Sequence, residues 1–476
     1  MYALIDSNNF FVSCERLFRP DLTTTPTVVL SSNDGCAISR SSEAKALGVC
    51  MGEPVFKLRN RFHMVETRVM SHESRTGSSR GPVRQPSQSD PTSVHHSSFP
   101  ILHSQKPPLV VFSANFELYG DISERITTQL TSITPHIEVY SVDEAFLDLS
   151  ELDIADYQAW GRQVRATILQ NIGIPVSIGL AHTKTLCKLA NHTAKKDPRF
   201  QGALLLGKHQ ISSPTSQIGA WSLALSSTPI EDVWGVGWRL APRLRAEGVF
   251  TALDLARLRP QRAQQLMGIH GRHLVYELGG TRCLPLQQTT KPQRVVARGR
   301  QFGADTSEPH VLEAAITSLA ARAAHKLRRD GQLACRAGVI LQTNRHKPGY
   351  TRSFTPAVFY TPTADTGTIC SQLVRLVARD LKPRLSYHKA EVVLYDLVPS
   401  HALQTDVFGA VNLDAHARNQ RRMQATDAIN TAYGPHTIGP AAELLSNAWQ
   451  PKSAMRSPRY TSHWPDLPVV VAMQQQ

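Results

Sequence analysis

The 476-residue chain contains no Cys-x-x-Cys pair. Its seven cysteines, at 14, 36, 50, 187, 283, 335 and 370, are odd in number and scattered, without histidines at zinc-site spacing. Neither a zinc module nor a disulfide framework is indicated, and reduced thiols are expected. No apolar run reaches the roughly 20 residues of a membrane helix, and Asp6 falls where a secretory leader would need its hydrophobic segment. A cytoplasmic protein with no membrane partner is therefore expected. No internal repeat is present. Acids are in short supply, 38 Asp plus Glu against 52 Lys plus Arg, and the resulting +14 favours a polyanionic partner. What the chain does have is length beyond a single core, and 41% hydrophobic residues to fill several.

The opening stretch MYALIDSNNFF gives a short apolar strand, Tyr2 to Ile5, with Asp6 at its end. TPTVVLSS is a second strand, and SRSSEAKALGV a helix begun by serine caps and stopped at Gly48. From 60 to 107 the texture changes. Those 48 residues hold ten Ser, five Pro and five His with little periodicity, as a disordered inserted loop would. The histidines (63, 72, 95, 96, 103) show no ligand pattern. Order returns with LVVFSANFELYGDISERITTQL, a strand leading into a helix. QAWGRQVRATILQNIG is an amphipathic helix, IPVSIGLA a strand, and TKTLCKLANHTAKK a helix ending in lysines. This alternation indicates an α/β core in which a mixed or antiparallel sheet carries helices on one face.

IEVYSVDEAFLDLS, residues 137–150, is rich in β-branched and aromatic residues, yet Asp143 and Glu144 stand side by side in it. Neighbours on a strand point to opposite faces, so both can serve one site only if the backbone bends. A hairpin tip at SVDEA provides the bend and brings the pair beside Asp6. Three gathered carboxylates raise one another's pKa unless cations lie among them, and two Mg²⁺ ions are the expected compensation. Such a pair suits in-line phosphoryl displacement. The competing reading is a solvated hairpin corner. GLAHTKT has the Lys-Thr of a P-loop, but Thr183 stands where its second glycine is required, which argues against ATPase chemistry.

YALIDSNNFFVSCE, SSNDGCAISRSSEAKALGV, YSVDEAFLDLS, AHTKTLCKLANHTAKK and DVWGVGWRL occur in the order found in Y-family DNA polymerases, and the chain resembles their UmuC-type translesion members, including plasmid and mobile-element versions. The resemblance implies a right-hand polymerase of α/β and α+β multidomain class. Its parts would be palm and fingers (1–230, with the insertion at 60–107), helix-hairpin-helix thumb (231–290), little finger (291–398) and C-terminal tail (399–476). It implies two Mg²⁺ held by Asp6, Asp143, Glu144 and the Ser7 carbonyl, and dNTP substrates. Phe11 falls on the steric gate beside Phe10, in a place where relatives usually have Tyr. Ser39, Ser42, Lys45 and Lys195 fall on triphosphate contacts, with Lys196 as a near alternative to Lys195. The implied activity is error-prone synthesis past damaged bases in the SOS response.

Residues 231–300 carry 12 Lys plus Arg against 5 Asp plus Glu, +7 in one segment. Within it IEDVWGVGWRLAPRL reads as helix, Gly-x-Gly turn and helix. Gly235 and Gly237 would offer amides to a DNA phosphate, with Arg239, Arg243 and Arg245 following. MGIHGRH at 267–273 is a poorer copy. In RVVARGRQFG basic side chains alternate along a strand, a pattern suited to a DNA backbone. The polar tail beyond 400 is expected to be only partly ordered. Within it, Gln404, Val407 and Phe408 of QTDVF resemble a sliding-clamp peptide. Primer-template DNA, the clamp, a UmuD-type dimer and RecA are the implied partners. Two alternatives stand: a non-catalytic DNA and clamp binder whose palm the insertion disrupts, and a nucleotidyl cyclase, although its GGDEF-type turn is absent.

Overall fold

The computed structural model describes residues 1–66, 106–207, 217–288, 292–382, 384–402 and 413–467. The chain divides into two compact units, Met1–Ser31 with Cys36–Thr290 and Met455–Gln476, and Ser32–Gly35 with Lys291–Ala454.

The first unit begins with β1 (Tyr2–Ser7), α1 (Phe10–Leu17), β2 (Thr27–Leu30), β3 (Ala37–Arg40), α2 (Ser42–Ala46), α3 (Val55–Arg61) and β4 (His63–Glu66). It continues with β5 (Pro108–Ser113), α4 (Phe116–Thr131), β6 (Ile137–Val139), β7 (Glu144–Asp148), α5 (Tyr157–Ile172), β8 (Val176–Ala181), α6 (Lys184–Lys196) and β9 (Ala203–Leu206). Five short helices follow: α7 (Gln217–Ser227), α8 (Ala241–Ala246), α9 (Ala252–Arg257), α10 (Pro260–Met267) and α11 (Ile269–Leu278).

The larger sheet has the order β6-β7-β1-β8-β9. β1 is antiparallel to both neighbours, whereas β8 and β9 run parallel. The sequence suggested helices on one face, but both are covered. Ala3 and Ile5 pack with α4 and α5 through Leu118, Ile122 and Ile168, while Tyr2 and Leu4 pack with Leu186 and Leu189 of α6. A central strand that is apolar at consecutive positions has no face to give to water. Gly179 on β8 allows α6 to lie directly on the sheet, since a Cβ there would stand 2.1 Å from the Cys187 carbonyl oxygen and 2.5 Å from the Asn191 nitrogen.

The smaller sheet has the order β3-β2-β5-β4 and encloses Val28, Leu30, Leu58, Leu109 and Val111. The expected insertion starts too early at 60: α3 runs to Arg61, and His63–Glu66 pairs in parallel with β5, Val65 opposite Val110. Met64 and Val65, an apolar pair at the edge of the Ser-rich stretch, supply the strand. A parallel pair needs a connection of about a dozen or more residues to return to the starting end. Residues 67–105 and 208–216 lie outside the described residues. IEDVW, expected to be helical, forms only a 3₁₀ turn over Ile230–Asp232.

The second unit comprises β10 (Val295–Thr306), α12 (Pro309–Arg329), β11 (Gln332–Thr343), β12 (Arg352–Thr363), α13 (Thr366–Asp380), β13 (Tyr387–Pro399) and α14 (Leu413–Tyr433). Its antiparallel sheet, β10-β13-β11-β12, packs on α12 and α13 through an alanine-rich core. Part of the tail packs on this unit. Asp427 of α14 accepts two hydrogen bonds from Arg328 at 2.7 Å, Arg422 pairs with the buried Asp365, and Trp449 enters the core. Arg298 and Arg300 do alternate along β10, but in step with the buried Val296 and Phe302. They therefore face the helix side, where their charges reach Arg322, and the open side of β12 instead exposes Phe354, Val358 and Tyr360.

Candidate active site

The β6–β7 hairpin turns at Ser141–Asp143, and the Tyr140 and Ser141 amides donate to the Glu144 carbonyl. Asp6 is directly opposite Glu144 in the β1–β7 register, so their side chains share a face. The buried Ser7 donates its N–H to the Asp143 carbonyl at 2.8 Å. The bend required by two adjacent acids is therefore present, and it places them at the end of the first strand.

Helix α6 crosses this end. Lys195 Nζ lies 2.6 Å from Asp6 Oδ1, and Lys188 Nζ 2.6 Å from Glu144 Oε2. Burial pushes the Asp6 carboxyl up to about 7, against the opposing pull of Lys195 and with a further push from Glu144. Lys188 is held among the rings of Tyr140, Trp234 and Phe146 at 4.6, 5.8 and 5.9 Å. The Trp234 indole N–H also donates to the Tyr140 hydroxyl. A cavity of about 240 Å³ opens here, lined by Asp6, Glu144, Lys188, His192, Lys195 and Trp234 among others. Lys196 instead approaches Asp232 at 3.5 Å, so Lys195 is the terminal lysine that faces the acids.

The Asp143 carboxylate accepts from the Ser141 hydroxyl at 2.5 Å. Among the described residues, no three His, Cys, Asp or Glu side chains converge closely enough to hold a metal ion. Asp6 and Glu144 nonetheless suit a hard divalent cation in donor type and charge, and each already draws an ammonium group.

Of the other expected contacts, Lys45 meets the site. Its ammonium donates to Asn9 Oδ1 at 2.5 Å, and burial, then the charges of Arg40 and Lys195, lower its pKa. Ser42 is exposed at the start of α2. Ser39 does not fit a triphosphate contact: its buried hydroxyl donates to the Asn9 carbonyl and accepts from the Val12 amide, tying β3 to α1. Phe10 is core, whereas Phe11 is half-buried and stacked on Tyr119 at 4.6 Å and 17°.

Gly235, with φ +89°, and Gly237 form an exposed turn before α8, with Arg239, packed over Trp238, and Arg243 exposed beside it. Arg245 is engaged by Glu231. The second copy is a similar joint, α10 and α11 meeting at Gly268, φ +73°. Gln404, Val407 and Phe408 lie outside the described residues.

Lys188, Asn9 and Trp234 went unnoticed in the sequence. Lys184, Lys188 and Lys195 are spaced by 4 and 7, which puts them on one helix face, and that spacing was the available signal. Lys184 is also what the rejected P-loop contained. It is buried against Glu138 and donates to the Pro285 carbonyl, while Thr183 caps α6 and bonds the Glu277 carbonyl.

Residues 5–192 match the impB/mucB/samB family model and 293–407 its C-terminal domain. The chain is 34% identical to protein UmuC of Salmonella typhimurium over 471 residues, 98% of this chain and 99% of that protein. It belongs to the UmuC-type Y-family DNA polymerases. Protein SamB of the same organism is 32% identical over 98% of this chain and 99% of that one. The fold matches a Y-family polymerase chimera of Dbh and Dpo4 with a TM-score of 0.57 at 20% identity, covering 84% of this chain and 99% of that one. Residues 420–470 match a domain of unknown function, DUF4113. This membership makes the protein a DNA-directed DNA polymerase of the translesion type and favours neither the cyclase nor the non-catalytic binder. No helix among the described residues is long and apolar enough to cross a membrane.

Proposed function

We infer that this Y-family polymerase adds deoxynucleotides by two-metal-ion nucleotidyl transfer at Asp6, Asp143 and Glu144. The observation that carries the reading is the pairing of Asp6 with Glu144 across β1 and β7, with Asp143 joined to Ser7 in the adjoining turn. Two Mg²⁺ ions would make the primer 3′-hydroxyl more acidic and neutralise charge on the leaving pyrophosphate. Asp6, Glu144 and the Ser7 carbonyl would hold them, and Asp143 would join by turning its carboxylate away from Ser141. Lys195 and Lys45, at the rim, would bind the triphosphate as point charges, with Ser42 adding a hydroxyl. The ring of Phe11 would lie under the sugar and exclude a 2′-hydroxyl.

The exposed turn at Gly235 and Gly237, with Arg239 and Arg243, would grip a phosphate of the primer-template without reading its sequence. Palm and fingers would occupy 1–230, the thumb 231–290 and the little finger 291–398. Gln404, Val407 and Phe408 would dock on the sliding clamp, and a UmuD-type dimer and RecA would complete the assembly. Omitting each partner in turn from a lesion-bypass reaction tests that set: a partner whose absence changes nothing is not one.

For the chemistry, Asp143→Ala is expected to abolish Mg²⁺-dependent primer extension while DNA affinity stays within about threefold. Retained extension would overturn the assignment of the acids, and joint loss of DNA binding would point to misfolding.

A further inference from the structure

The last described residues, 455–467, lie on the first unit as a strap. Met455 is buried among the apolar residues of the smaller sheet, its carbonyl accepts from the Ser113 amide and its amide donates to the Ser113 hydroxyl. Arg456 donates to Asn115 Oδ1 at 2.9 Å and to Glu117 Oε2 at 3.0 Å. The buried Ser457 accepts from Asn115 Nδ2 at 2.9 Å, Ser462 donates to Glu117, and Tyr460 stacks on Phe18 at 4.4 Å.

These contacts converge on two helix ends. Asn115 is the N-cap of α4 and Glu117 lies in its first turn, while Phe18 is the C-cap of α1. The same helices carry the aromatic group behind the site: Phe11 from α1, with Phe116 edge-on at 5.9 Å and Tyr119 stacked beneath from α4. The Tyr119 hydroxyl crosses back to α1 and donates to the buried Glu15 at 2.6 Å. Arg456, Ser457 and Tyr460 thus close a frame whose inner member is the plate on which Phe11 rests.

We propose that the C-terminal strap is a positioning element for sugar selection: by fixing the first turn of α4 against α1 it sets the height of Phe11 and with it the preference for deoxynucleotides over ribonucleotides. The proposal rests on the assignment of Phe11 to the sugar. It gives the 455–467 part of the domain of unknown function a role in the accuracy of the active site. Displacement of a contacting group by about 1 Å changes rates by up to about a hundredfold, so a partial loosening should be visible in the ratio of two substrates.

The test uses the full chain with its partners on an undamaged primer-template, measuring kcat/KM for a dNTP and the matching rNTP. Phe11→Ala, Arg456→Ala and the double variant are compared. Phe11→Ala is expected to collapse the dNTP preference, and Arg456→Ala to reduce it about tenfold while dNTP turnover stays within about threefold. The double variant should match Phe11→Ala alone, because the two act as one unit. A strap that only stabilises the fold would slow both nucleotides alike and leave their ratio unchanged, which overturns the proposal. An unchanged ratio in Phe11→Ala itself overturns the assignment of Phe11, a separate failure. Should Arg456→Ala not fold, Tyr460→Ala decides, since it removes the strap's stacking on Phe18 and leaves the first turn of α4 untouched: a reduced ratio supports the frame and an unchanged one overturns it.

Discussion

Gly179 joins the fold most directly to the chemistry. A Cβ at this position would stand 2.1 Å from the Cys187 carbonyl oxygen, more than 1 Å short of ordinary contact, and 2.5 Å from the Asn191 backbone nitrogen. Both atoms belong to the α6 backbone, so no rotamer change relieves the clash and the helix itself must lift. Lys188 and Lys195, which pair with Glu144 and Asp6, ride on it. Gly179→Ala is therefore expected to cost about 1–3 kcal/mol from overpacking and, by moving two site cations by about 1 Å, to reduce single-nucleotide incorporation up to about a hundredfold. The assay is single-turnover primer extension well below the melting temperature, with DNA affinity measured in parallel. A variant that loses stability but keeps the wild-type rate would show that α6 does not position the reacting groups.

Four further perturbations follow from the geometry. Burial raises Glu15 to about 7 from the ordinary 4.5, opposed by Tyr119, Ser457 and Arg456; the folded protein thus holds a proton that the unfolded chain releases between those values, and this contribution to stability is lost as pH rises. The stability of wild type relative to Glu15→Gln should fall by about 3 kcal/mol from pH 4.5 to 7.5, and a pH-independent difference in urea titrations would refute the coupling. Lys184→Met leaves Glu138 buried without its cation and should cost about 3–5 kcal/mol in the same titrations, a loss below 1 kcal/mol arguing that the pair is solvated. Lys195→Met should raise KM for dNTP about tenfold with a smaller change in kcat, whereas Lys188→Met should lower kcat; equal effects would deny the two lysines separate roles.

The palm was legible because its signals are local. A β-branched run with adjacent acids needs a bend, and the bend at Ser141–Asp143 is there. Serine capping of α2 and its stop at Gly48, φ +75°, were equally readable. What escaped depends on which way a residue faces. Ser39 sits in a motif that implies a ligand contact, yet its parity on β3 turns the hydroxyl toward α1. Arg298 and Arg300 alternate as a DNA-binding strand would, but in step with Val296 and Phe302. The strap escaped for another reason: Arg456 meets Asn115 across 341 positions, and no periodicity within 455–467 announces a partner so remote in sequence.

The site also balances its own charge. Asp6 and Glu144 are nearest cross-strand neighbours in a largely buried place, where burial first and then the Glu144 charge raise the Asp6 pKa while Lys195 lowers it. The two lysines that meet this need are not equivalent. Lys188 has 17% of its side chain exposed and is enclosed by three rings, so its ammonium has nowhere else to go. Lys195 is on the last turn of α6, 33% exposed, and its four-carbon stem can carry the charge outward. On the proposed assignment, an incoming triphosphate would compete with Asp6 for that ammonium and would free Asp6 Oδ1 for a divalent cation. Substrate arrival and the opening of the carboxylate would then be linked through one side chain, while Lys188 would keep the Glu144 end of the hairpin in place.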